Sequence, residues 1–425
     1  MISFGIRSLR GLALVAALAA TPSFAAPLPA PPSLRVLFLR VDFPDRPSTR
    51  PAETLSAPDR SGLVDRLVAY YAEVSSGRFH IEPMLARGVF RVPEPRAAYA
   101  GATRKLVGAA VDAATRPGST SRREIAAFRP EAVVVLFAGP GSESELGPHT
   151  NGNPWSEAIR GGRPFDVAGH RVDQVLVVGE DPMNGLSPFG VLAHEFGHVL
   201  GLPELYAPSH AHVGIGIWGL MGEGTWVGRG DRPPHPCAWS KLALGWVDAV
   251  VVDRAAHVKL DAVERVPKVV KILAREGHPE EYFLVENRRR IGSDARIPGE
   301  GLLVWHVDDS LDSFRRSQDD PSHKRVDLMT ADTWPSQLDL GPTRGGNRGD
   351  AGDPWADRLT GPGPGTRPST ASYSGATGRF SLRNVSAAGD TMTFDVVFED
   401  DARRAGGTAP SAISPPSAAR PPASP

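Results

Sequence analysis

Residues 187–206 read SPFGVLAHEFGHVLGLPELY. Within them His194, Glu195 and His198 form the pattern H-E-x-x-H. Side chains four apart on a helix share a face, so His194 and His198 project the same way, one turn apart. Two neutral imidazoles at that spacing can grip one zinc ion at roughly 2.0–2.1 Å. Glu195 sits beside the first histidine, where its carboxylate can take a proton from water at the ion, as the general base of a metal-dependent peptide hydrolysis does. The flanks predict a helix. Ser187 is a good N-cap, and Pro188 follows where a helix tolerates proline. Val191, Leu192, Phe196, Val199 and Leu200 supply apolar surface, and Gly201 stands where a left-handed cap ends the helix. Gly197 is the misfit. It costs about 1 kcal/mol relative to alanine in a helix interior, so a close neighbour must need the space.

Two histidines leave zinc short of a ligand. After the turn at Gly201 the chain continues Leu202-Pro203-Glu204, and the carboxylate of Glu204 is an acceptable third ligand with a fourth place left for water. Glu223 is the competing carboxylate, but Gly222-Glu223-Gly224 will not hold a helix. His210 and His212 lie in a glycine-rich loop and read as exposed loop residues rather than alternative ligands. A histidine helix without metal has to gather two imidazoles and a carboxylate for packing alone, which is costly without partners.

Composition bounds the rest. The chain has 425 residues, 47 basic against 48 acidic, and a net charge of −1, so neither a nucleic-acid stripe nor an acidic tail is indicated. The 41 prolines and 45 glycines favour a loop-rich protein. The single cysteine, Cys237, cannot form an internal disulfide and reads as a small packed residue. Arg7 and Arg10, the apolar run 11–20 and the small residues at 23–25 form an export signal cut after Ala25, with a retained anchor as the other reading. No later run is long enough to span a bilayer.

Along the chain, 26–33 is a linker. Strands are predicted at 35–43, 131–138 and 172–178, extended chain at 78–84, and helices at 61–75, 102–114 and 236–244. Residues 139–159 read as a Gly/Pro-rich surface loop. From 250 onward the pattern alternates strands and turns, predicting an antiparallel sandwich or sheet. Asp350, Asp353 and Asp357 offer the hard oxygens that Ca2+ prefers, and equally suit turns. The Pro/Ala/Ser-rich residues 401–425 have too little apolar content to fold.

The strings HEFGHVLGLPELY, GIGIWGLMGEGTW and AWSKLALGW resemble the secreted immune-inhibitor-A family of zinc metalloproteases. So do VLFLRVDFPD at 36–45, YYAEVSSGRFHI at 70–81, EYFLVENR at 281–288, GLLVWHVDD at 301–309 and GDAGDPWAD at 349–357. The resemblance covers most of residues 34–400. It implies a metzincin-like catalytic domain followed by a β-rich region, with His194, His198 and Glu204 holding Zn2+, Glu195 as base and Met221 in the methionine turn beneath the metal. Where some relatives place a tyrosine after that methionine, this chain has Glu223, so the oxyanion stabiliser has no candidate. A His-x-x-Trp-like loop of the family is matched only by His149 and Trp155 at a different spacing, and no role is carried over. Many relatives carry a long propeptide; here only 26–33 separates the export signal from the first strand.

The expected fold is α+β: export signal 1–25, linker 26–33, zinc catalytic domain 34–249, β-rich sandwich-like domain 250–400 and tail 401–425. The expected function is that of a secreted or periplasmic zinc endopeptidase acting on protein or peptide substrates, with no nucleic-acid partner and no stable membrane span. Two alternatives stay open: a zinc-stabilised binding or adhesion protein without turnover, and a zinc amidase acting on cell-wall peptides.

Overall fold

An apolar run on both faces of a strand places it inside a sheet with both sides covered. In the computed structural model this holds for β1 (Ser33–Asp42), whose last seven residues are all buried. The structure describes residues 29–399 except 58, 60, 143–151, 183–184, 312–316, 333–334 and 342–343. The export signal, the start of the linker, His149 and the tail therefore lie outside the described residues.

The first half follows with β2 (His80–Leu85), β3 (Phe90–Arg91), β4 (Ala132–Phe137), β5 (Glu157–Ile159), the hairpin β6 (Phe165–Val167) and β7 (His170–Val172), and β8 (Gln174–Gly179). One sheet has the order β2-β1-β4-β8-β5, with β3 also on β1. Its neighbours run parallel except β5, which lies antiparallel to β8 and ends the sheet. Helices α1 (Leu63–Val74), α2 (Thr103–Ala114), α3 (Thr120–Phe128), α4 (Pro188–Val199) and α5 (Ala238–Ala243) complete this half. Period-two alternation sorts the strands' side chains. Val36, Phe38, Val134, Leu136, Leu176 and Val178 share a core with α1 and α4. Leu37, Leu39, Val133, Val135, Val175 and Val177 share another with α2.

The second half comprises β9 (Asp248–Val251), β10 (Ala256–Asp261), β11 (Lys268–Arg275), β12 (His278–Arg288), β13 (Gly301–Asp308), β14 (Val326–Leu328), β15 (Arg358–Thr360), β16 (Phe380–Val385) and β17 (Thr391–Phe398). They form two sheets, β14-β13-β12-β11-β9 and β10-β17-β16-β15. All pairs are antiparallel except β9 with β11. The architecture is thus mixed α/β with several antiparallel strand pairs. Alternate residues of β12 and β13 again part ways. Phe283, Val285, Leu302 and Val304 join β16 and β17 in a third core. Tyr282, Leu284, Leu303, Trp305 and Val307 enter the same core as Leu192, Phe196 and Met221 of the first half. The apolar interior is continuous across residue 249. Among the described residues no helix is long and apolar enough to cross a membrane.

A buried charge cluster lies at this junction. Arg288, fully buried, donates from Nε and Nη2 to Asp294 at 2.8 and 2.6 Å and from Nη1 to Glu286 at 3.3 Å. Lys241 pairs with Glu286 at 3.1 Å. Glu264 accepts from the Arg289 backbone N–H at 2.9 Å. Burial, then the neighbouring Asp294 carboxylate, raises the Glu264 carboxyl well above its usual range. A carboxyl raised in the folded state keeps its proton there while the unfolded chain has lost its own. Its contribution is therefore full below the ordinary value of 4.5 and is lost as pH rises towards the raised one. Glu264→Gln is expected to flatten that loss, at most about 1.4 kcal/mol per pH unit. Melting temperatures from pH 5 to 9 check it; parallel curves for parent and variant contradict it.

Candidate functional site

The helix at the site is α4. The Ser187 hydroxyl accepts from the Phe189 N–H at 3.3 Å, Pro188 opens the first turn, and Gly201 takes φ +100° just past the end. Tyr71 of α1 donates its hydroxyl to the Ala193 carbonyl at 2.7 Å. The space at Gly197 belongs to Met221: a Cβ there would lie 2.5 Å from its Sδ. The methionine thus packs directly against the helix between the two histidines. Gly190 is tighter still, since a Cβ there would overlap the Thr225 carbonyl oxygen, which is backbone and cannot swing away. Gly190→Ala is expected to destabilise the protein by about 1–3 kcal/mol. Thermal melting measures this, and an unchanged midpoint contradicts it.

His194 and His198 stand with ring centroids 4.9 Å apart. His194 Nδ1 lies 2.9 Å from the Leu220 carbonyl and His198 Nδ1 lies 2.7 Å from the Leu202 carbonyl. A carbonyl only accepts, so each Nδ1 carries the proton and donates. Thr225 Oγ1 lies 3.0 Å from the same Nδ1 of His194. Both Nε2 atoms then turn to Glu204, one to each carboxylate oxygen, at 3.1 Å. In a neutral imidazole Nε2 is a lone pair, and a lone pair against a carboxylate oxygen is repulsive. The contact is favourable only with a proton or a metal cation between them. Burial disfavours charge on both imidazoles, but the facing Glu204 carboxylate outweighs it and raises both. Burial likewise opposes charge on Glu204, yet the two imidazoles hold its carboxyl far below the usual range. The donor atoms of the three residues lie within 4.8 Å of one another. Two nitrogens and a carboxylate suit zinc.

Glu195 lies on the same helix, and its Oε2 accepts from the Ala158 backbone N–H at 2.8 Å. Ala158 is the middle residue of β5, in a stretch whose sequence predicts a surface loop. The structure corrects that expectation: residues 157–159 pair with β8. Its length of three residues, beside a Gly/Pro-rich run, gave no strand period to read.

Other expectations part company. Glu223 stays outside the cluster and pairs with Arg348 at 3.4 Å. His210 is exposed, but His212 is buried, accepts from the Gly214 N–H at 3.1 Å and lies 3.2 Å from the Asp319 carbonyl. Burial of that histidine is a correction, and it makes His212 a loop brace. Tyr206, two residues past Glu204, stacks near His194 at 6.2 Å between centroids, a contact that sequence reasoning did not single out. Cys237 is buried, 3.4 Å from the Ser240 hydroxyl, and burial pushes its thiol up. Among the described residues a second group gathers carboxylate oxygens, Asp332, Asp350 and Asp353. Asp357, grouped with the last two by sequence, is exposed at φ +50° and donates its backbone N–H to Ser386 instead.

Comparison with known proteins points the same way. Residues 174–248, from β8 through α4 to α5, match the family described as immune inhibitor A peptidase M6, catalytic domain. The chain is 39% identical over 59 residues to the pre-pro-metalloprotease PrtV of Vibrio cholerae serotype O1, which is 13% of this chain and 6% of that protein. It is 32% identical over 140 residues to immune inhibitor A of Bacillus thuringiensis subsp. alesti, which is 28% of this chain and 20% of that protein. The chain thus spans a fifth or less of the length of these relatives. The segment that carries His194, Glu195, His198 and Glu204 thus matches the catalytic domain of the immune inhibitor A peptidase M6 family.

Proposed function

We propose that this chain is a zinc-dependent endopeptidase in which His194, His198 and Glu204 hold the metal and Glu195 is the general base. The observation that carries the reading is the convergence of two Nε2 lone pairs and one carboxylate, with the Glu195 carboxylate tethered on the same helix. A zinc ion held there polarises a carbonyl and acidifies water. Glu195 receives the proton at its carboxylate and delivers it to the leaving amine. The Ala158 N–H fixes one oxygen of Glu195 and so aims the other. Carbonyls 202 and 220 fix both imidazoles in the tautomer that offers Nε2.

An extended peptide is the substrate that the position of β5 supports. It ends the sheet beside α4, and a strand at a sheet edge can accept a further strand. Hydrolysis of casein tests the reading. Activity is expected to vanish with a chelator and to return with zinc. A protein that binds zinc but cleaves no peptide bond would instead be a zinc-stabilised binding module.

The reading includes export to the periplasm or beyond the cell, supported by the basic, apolar and small-residue order of 1–25. Sequencing the mature N-terminus checks it; a start near residue 26 is expected, and an intact Met1 contradicts it. It also takes the two later sheets, which share one core, to pack as a sandwich. A crystal structure in which those sheets do not face each other contradicts that part.

A further inference from the structure

We infer that the region beyond residue 250 is a working part of the metal site, with Trp218 and Gln318 as positioning residues that hold the ligand-bearing turns from behind. The inference rests on the zinc reading of His194, His198 and Glu204. Apart from Trp218, the residues it concerns (Arg288, Gln318, Arg348 and Asp353) lie outside the segment 174–248 that matches the family.

Two short turns lie behind the three donor side chains. The turn at 218–222 presents the Leu220 carbonyl to His194 Nδ1 and Met221 to Gly197. The turn at 202–206 carries Glu204, and its Leu205 N–H donates to the Met221 carbonyl at 2.8 Å, which ties the two turns together. Neither is a long regular element, so neither holds its own position through a repeated backbone ladder. The Leu205 carbonyl accepts from the Ile215 N–H at 2.9 Å within the first half, and further outside partners come from the second half of the chain.

The Trp218 indole, fully buried, donates to Asp353 Oδ2 at 2.7 Å. The Trp218 carbonyl accepts from Arg288 Nη1 at 3.1 Å, and Arg288 is itself fixed by Asp294 through two bonds. One residue earlier, the Ile217 N–H donates to the Arg348 carbonyl at 2.8 Å. The second turn is held in the same manner. Gln318, buried, donates from Nε2 to the Leu205 carbonyl at 3.1 Å and to the Val326 carbonyl at 3.0 Å. Its Oε1 accepts from the Val326 N–H at 3.0 Å, which clamps the side chain to β14. Hydrogen bonds with the side chains of residues 288, 318 and 353 thus fall one or two residues from Leu220 or Glu204, and the one with the Arg348 carbonyl falls three residues from Leu220. Such outer partners set ligand orientation, and losing one typically weakens metal binding about 10–100-fold.

The test uses the full chain and measures the zinc dissociation constant by competition with a chromogenic chelator, well below each variant's melting temperature. Trp218→Phe removes the indole N–H donor together with part of the ring volume and keeps one aromatic ring. Gln318→Met removes the amide and keeps the volume. Each is expected to raise the dissociation constant about tenfold. Phe394→Leu, in the third core and away from both turns, is the comparison. It is expected to lower the melting temperature while leaving zinc affinity within about twofold. Should Trp218→Phe fail to fold, Gln318→Met carries the test alone. A folded Trp218→Phe or Gln318→Met that binds zinc within twofold of the parent overturns the inference, as does an equal loss in Phe394→Leu. A parent that binds no zinc overturns the reading of the three ligands as well, so the two failures are told apart by the parent alone.

Discussion

Replacing Glu195 by glutamine is expected to lower turnover of a protein substrate by about 10²–10⁴-fold while leaving zinc content at parent level. Glutamine has nearly the same shape and keeps an oxygen that can accept from the Ala158 N–H, so the helix and the β5 contact survive. What it loses is the ability to take a proton. The proposed metal ligands are His194, His198 and Glu204, and none is altered. Steady-state kinetics with metal analysis on the same sample check both halves. A variant that cleaves casein at the parent rate removes Glu195 from the chemistry, and one that loses its zinc makes Glu195 part of the metal site.

His198→Ala is expected to weaken zinc binding on the order of a hundredfold or more, beyond what loss of an outer partner does. Two effects add. A nitrogen donor disappears, and one oxygen of Glu204 loses the Nε2 partner it faces at 3.1 Å. The helix itself tolerates alanine well. The folded apoprotein is therefore expected to persist, with chelator competition reporting the loss. Unchanged zinc affinity in this variant places the metal elsewhere.

Much of this was legible because burial on a regular element leaves a period in the sequence. The apolar runs of β1 and β4 carried it, as did the spacing of Leu63, Leu67, Tyr70, Tyr71 and Val74 on α1. The misfit at Gly197 pointed to a close neighbour, and the neighbour is Met221. The convergence of His194, His198 and Glu204 followed from a helical turn plus a glycine cap. Less legible was whatever depended on partners distant in the chain. The helix α3 buries only Ile125, so it shows no apolar stripe. Ala158 meets Glu195 through its backbone, and a backbone N–H leaves no mark in residue type. Asp332 joins Asp350 and Asp353 across a fold that spacing does not reveal. The boundary drawn at 249 follows a change of local pattern, whereas Trp305 and Leu303 continue the interior of the first half.

Anomalous diffraction at the zinc edge, on crystals of the full chain grown with zinc, tests the central assignment most directly. A single strong peak bonded to His194 Nε2, His198 Nε2 and a Glu204 oxygen at about 2.0–2.2 Å is the predicted result. A zinc-replete crystal with no peak among those three side chains contradicts it.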